Sequence, residues 1–107
     1  MSNSDAYLRA ILGIVSRQAV PPEELTAQVA IGTTKGKQIE AYNLCDGQLT
    51  QGEIAKKVGL DPGNFSRTMT RWADDGLVVR TEINGQMRPV HLYPIPANLA
   101  KKATRGD

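Results

Sequence analysis

Between Asn64 and Asp74 the chain places Asn64, Arg67, Thr70, Arg71 and Asp74 at spacings that gather on one side of a helix. Phe65, Met69, Trp72 and Ala73 gather on the other side. Two guanidiniums among short hydrogen-bonding side chains suit recognition of a polyanion, because an arginine fork can take a guanine edge or a phosphate through paired N–H donors. Other chemistries find little to work with. One histidine, His91, and one cysteine, Cys45, build no metal site and no internal disulfide within a single chain. No phosphate-binding glycine loop and no paired carboxylates in an apolar setting accompany them, so no reaction can be assigned. The chain is therefore not expected to be an enzyme, and it implies no cofactor and no metal. Cys45 reads as a small buried apolar residue and His91 as a structural histidine on a strand.

Composition agrees with a binding role. At 107 residues the chain suits one domain with a single modest core. Hydrophobic residues at 40% and charged residues at 22% fit neither pervasive disorder nor a membrane protein, and no apolar run approaches the roughly 20 residues a bilayer requires. Met1-Ser2-Asn3-Ser4 opens no signal-peptide pattern, and a lone thiol is at home in a reducing cytoplasm. From Lys35 onward lie eleven of the thirteen Lys and Arg but only eight of the eleven Asp and Glu, so the excess positive charge gathers on the later part of the chain.

The elements that must hold these side chains can be traced from periodicity and from start and stop signals. Asp5 to Arg17 reads as a helix whose Tyr7, Leu8, Ile11, Leu12, Ile14 and Val15 form an apolar face wider than a small domain needs from its first helix. Pro21-Pro22 ends that segment and starts a short helix with Glu23 and Glu24 at its positive end and Leu25 and Val29 pointing inward. Gly32 stops it. Thr33 or Thr34 can cap the next helix, in which Ile39, Tyr42 and Cys45 recur at helical spacing. Thr50-Gln51-Gly52-Glu53 is a capping box, with Ile54 and Val58 facing the core and Gly59 closing the helix ahead of a sharp turn. Asp61 can cap the polar-faced helix with Pro62 at its first position, and Gly76 ends it. An extended run from Leu77 then sets Val79 and Ile83 on one face against Val78, Arg80 and Glu82 on the other. Asn84-Gly85 supplies the backbone of a two-residue hairpin turn, which places Ile83 opposite Gln86, Thr81 opposite Arg88 and Val79 opposite Val90. Pro94 and Pro96 break the sheet. The tail from Ala97 to Asp107, with Lys101, Lys102 and Arg105, is either a short helix or a mobile basic arm.

The stretches Leu49-Thr50-Gln51-Gly52-Glu53-Ile54-Ala55, Val58-Gly59-Leu60, Phe65-Ser66-Arg67 and Trp72-Ala73-Asp74-Asp75-Gly76-Leu77-Val78 resemble winged helix-turn-helix transcription regulators of the MarR and ArsR type. The resemblance covers about 34–93. It implies a mainly α fold with a small β-hairpin, a winged helix-turn-helix with an added N-terminal helix. In those families the second helix of the pair enters the major groove and the hairpin wing reaches the minor groove or the backbone. Carried onto this chain, the pattern assigns Asn64, Ser66, Arg67, Thr70 and Arg71 to the groove, and Arg88 with Gln86 and Asn84 to the wing. The Cys and His clusters of metal-sensing ArsR relatives are missing here. The expected organisation is an N-terminal helical segment over 1–33, a DNA-binding domain over 34–96 and a basic tail over 97–107. The expected partners are double-stranded DNA and a second copy of the chain, joined through Tyr7, Leu8, Ile11, Leu12 and Val15, with no membrane. The rival expectation is a winged-helix module that docks on another protein. RNA binding is disfavoured because Trp72 and Phe65 are expected in the core, which leaves few aromatics for unpaired bases.

Overall fold

Local sequence signals set most element boundaries. In the computed structural model, which describes residues 3–104, the order is α1 (Asn3–Ala19), α2 (Pro22–Val29), α3 (Lys35–Asn43), α4 (Gln51–Val58), α5 (Pro62–Asp74), β1 (Val78–Ile83), β2 (Gln86–His91) and α6 (Ala97–Thr104). The described part is mainly helical, with one two-stranded antiparallel hairpin. The capping box at α4 is present: Thr50 Oγ1 accepts from the Glu53 amide at 3.2 Å, and Glu53 returns the bond by accepting from the Thr50 amide at 2.9 Å. That exchange holds the Glu53 carboxyl below its ordinary pKa, the Thr50 amide being the larger cause. Asp61 caps α5 by accepting from the Asn64 amide at 2.9 Å, and Pro62 takes the first turn. Thr34 occupies the cap position of α3 but binds no helix amide; its hydroxyl instead accepts from Gln38 Nε2 at 2.9 Å.

Two turns fix the geometry that follows. Gly59 adopts φ 78°, a left-handed conformation that costs glycine nothing and turns the chain from α4 into α5 within a few residues. Asn84 and Gly85 adopt φ 53° and 78°, the pair of positive dihedrals a tight hairpin turn needs. The resulting register pairs Ile83 with Gln86, Thr81 with Arg88 and Val79 with Val90, as the turn length predicts. Of the two strand faces, the one bearing Val78 turns inward, and Val79 is left 54% exposed. The loop after α3 joins the sheet edge: Asp46 bridges Val90, the His91 amide donates to Cys45 O at 2.7 Å, and the Gly47 amide donates to Pro89 O at 3.0 Å.

The core lies where α2, α3, α4 and α5 meet the hairpin. Leu25, Val29, Tyr42, Cys45, Ile54, Met69 and Trp72 are fully buried there, with Phe65 and Leu77 beside them. Trp72 meets Phe65 and Tyr42 edge-on, with centroids 5.8 and 5.4 Å apart. Its indole N–H donates to Val29 O at 3.2 Å, so α2 is tied to α5. The tail is a helix over its described length, and α6 packs on α2 and α3 through Leu99 and Ala103; Arg105 lies outside the described residues. Thus α2 and α6, which the sequence reading set apart from the central segment, share its core. Among the described residues no helix is long and apolar enough to cross a membrane.

Candidate nucleic-acid interface

The apolar stripe of α5 orients its polar side. Phe65, Met69 and Trp72 are buried, which turns Asn64, Ser66, Arg67 and Thr70 into solvent. This exposed side is ordered by its own bonds. Arg67 Nη1 donates to Asn64 Oδ1 at 2.8 Å, and Thr70 Oγ1 donates to Ser66 O at 3.0 Å. Arg67 is exposed and its other donors have no partner among the described residues, which leaves a fork able to take a guanine edge or a phosphate.

Two of the arginines assigned to this interface from the sequence have guanidiniums engaged within the fold. Arg71 is half-buried and turned inward, where Nη1 donates to Gln28 O at 2.6 Å and Nη2 to Val29 O at 3.0 Å and Gln38 Oε1 at 3.2 Å. It caps the carbonyl end of α2, where orphan acceptors and the helix dipole both favour a cation. Arg88 is also half-buried. It donates to Gln48 O and, at 2.9 Å, to Gln86 Oε1, and its Nε is buried without a partner among the described residues. It ties β2 to the loop before α4. Asn84 and Gln86 remain exposed at the hairpin tip. Beside the outer side of α5 stands an arginine outside the expected set: Arg80, exposed on β1, donates Nη2 to Thr70 Oγ1 at 3.1 Å. The signal for it was strand alternation, since Arg80 shares the face of Val78 and that face is directed at α5.

The expected pairing residues of α1 are all open. Tyr7, Leu8, Ile11, Leu12 and Val15 are 41–69% exposed, and Ile14 beside them is exposed as well. The helix meets its own domain through the opposite face, where Gly13 and Ser16 are buried, Arg9 Nη2 donates to Asp46 O at 3.1 Å, and the Arg17 guanidinium stands 4.8 Å above the Tyr93 ring. The usual arrangement is inverted: small and cationic residues face in and large apolar ones face out.

The groups best able to do nucleophilic or acid–base work have structural positions. Cys45 is fully buried, and burial pushes its thiol up to about 12, so it is protonated at neutral pH. His91 lies 5.5 Å from the Tyr42 ring, and burial lowers its pKa below the ordinary 6.5; its Nδ1 has no partner among the described residues. No three His, Cys, Asp or Glu side chains among the described residues are placed to hold a metal ion. The chain matches no protein-family model, no curated protein and no solved structure.

Proposed function

We propose that the chain is a cytoplasmic, duplex-DNA-binding transcription regulator of the winged-helix kind that acts as a homodimer. The observation that carries this reading is the outer side of α5, where Asn64, Ser66, Arg67 and Thr70 lie exposed over an apolar stripe locked into the core. In this reading α5 enters the major groove, the hairpin tip with Asn84 and Gln86 lies beside the adjoining backbone, and Arg67 contacts a base. Arg71 and Arg88 stabilise the fold and leave the contact set. The function is binding, without a catalytic step.

The homodimer rests on the outward face of α1. Six large apolar side chains open to this extent offer on the order of 500 Å² per copy, so pairing two faces reaches about 1,000 Å², the threshold for a specific interface. The same face supports a second reading, in which the chain is a module that docks on a different protein. Fluorescence anisotropy separates the two. The regulator reading expects salt-dependent binding to a mixed pool of duplexes that resists competition by single-stranded RNA, and it expects Arg67→Ala to cost about 1 to 3 kcal/mol on the preferred site while relaxing sequence preference. Absence of duplex binding by the wild-type chain removes the regulator reading and leaves the docking module.

A further inference from the structure

Four arginines lie between α5 and β2, and their hydrogen bonds divide them into two kinds. Arg71 and Arg88 each satisfy main-chain carbonyls of other segments, Gln28 and Val29 in one case and Gln48 in the other. Arg67 and Arg80 are exposed, and each is held by one bond to a short polar side chain of α5, Asn64 at 2.8 Å and Thr70 at 3.1 Å. The direction of the second bond is fixed by its surroundings. The Thr70 hydroxyl gives its proton to Ser66 O at 3.0 Å, so its oxygen accepts from Arg80. One of the five guanidinium N–H donors of Arg80 is thereby used, and the other four have no partner among the described residues.

We propose that Arg80, positioned by Thr70, holds a phosphate of the bound duplex and supplies the backbone contact that the sequence pattern assigned to Arg88. The inference rests on the duplex-binding reading above and names a residue that reading does not include. The chemistry follows from place and shape. The two anchors, Asn64 and Thr70, are six positions apart, so the anchored guanidiniums are spread along roughly 9 Å of the α5 axis. A helix in the major groove meets base edges mainly with its N-terminal residues. Arg67 is anchored at that end. Arg80 is anchored at the other, beside the root of the hairpin, where the phosphate backbone borders the groove. A planar fork already held by one bond suits a phosphate, whose oxygens accept paired N–H donors, and anchoring leaves less side-chain freedom to lose on contact.

The test is anisotropy on matched and scrambled duplexes over a salt series, with wild type, Arg80→Gln, Arg80→Lys and Thr70→Val, each checked for native circular dichroism. Arg80→Gln is expected to weaken matched and scrambled duplexes alike, about tenfold, and to reduce the slope of log affinity against log salt by about one. Arg80→Lys should restore the slope but only part of the affinity, because the charge returns without the fork. Thr70→Val should weaken both duplexes a few-fold with the slope kept, since the charge remains and its anchor is gone. If wild type binds duplex DNA with the expected salt dependence while Arg80→Gln binds equally well, the assignment of Arg80 is overturned and the duplex-binding reading survives. If Arg80→Gln loses affinity only for the matched duplex, Arg80 reads a base and the phosphate assignment is overturned. If wild type fails to bind, the reading beneath the proposal falls and takes the proposal with it.

Discussion

Replacing Arg71 by alanine should unfold the domain more readily and, under the proposed duplex-binding function, leave sequence selectivity untouched in the molecules that remain folded. The guanidinium makes three bonds, to Gln28 O, Val29 O and Gln38 Oε1. Hydrogen bonds to a charged group are worth about 1.5 to 3 kcal/mol each when measured singly, but those three figures do not add here. Val29 O keeps the Trp72 indole N–H at 3.2 Å, and Gln38 Oε1 keeps the Ile31 amide at 3.1 Å, so only Gln28 O loses this donor with none of these to replace it. The C-terminal end of α2 also loses the cation that offsets its dipole, worth about 0.3 to 2 kcal/mol. A loss of about 2 to 3 kcal/mol follows, which for a domain of this size lowers the melting temperature by roughly 10 to 20 °C. Trp72, the chain's one tryptophan, reports the transition in urea because it is buried beside this contact. Arg71→Lys should recover part of the loss, since an ammonium keeps the charge but cannot span the three acceptors. A variant Arg71→Ala with the wild-type urea midpoint and a relaxed base preference would refute the inward placement and return Arg71 to the groove.

Other perturbations test the remaining links. Ile11→Asp puts a carboxylate in the middle of the outward α1 face and should convert a dimer to a folded monomer in light scattering; a wild-type chain that is monomeric at high concentration rules out self-pairing through this face. His91 has a folded pKa below its ordinary 6.5, chiefly through burial, so the unfolded chain takes up a proton first and stability, complete above that value, declines as pH falls below it. His91→Phe keeps a ring against Tyr42 and should flatten the urea midpoint between pH 7 and pH 5.5, whereas an unchanged pH dependence means that another group is responsible.

The legible parts of the fold were those fixed by short-range rules. The Asn84-Gly85 turn determines the hairpin register because two residues leave only one pairing, and the Thr50–Glu53 capping box places the start of α4 without help from tertiary contacts. The buried stripe of α5 was equally clear, since Phe65, Met69 and Trp72 can share a face only in a helix. What the sequence left open was which side of β1 faces inward and whether the tail is ordered, and both are decided by distant partners. Val78 rather than Val79 meets the core because of where β1 leaves α5. Leu99 and Ala103 order α6 because α2 and α3 present a surface to them.

The arginines show where spacing stops being informative. A periodic pattern locates a Cα on one side of a helix, but an arginine stem is long enough to carry its guanidinium around the boundary between faces. Arg71 precedes Trp72 by one position, at the edge of the buried stripe, and unsatisfied carbonyls at the end of α2 lie within reach; Arg88 finds Gln48 O in the same way. Those acceptors belong to other segments, so no local rule reveals them. Among the described residues Arg67 and Arg80 find only side-chain acceptors on α5, at Asn64 and Thr70, which hold a guanidinium without enclosing it. Whether α5 is a reading helix or only a solvated amphipathic one turns on that difference. An arginine enclosed by carbonyls stabilises the fold, whereas one held by a single exposed side chain keeps donors for a ligand, and the two of that kind flank the outer side of α5.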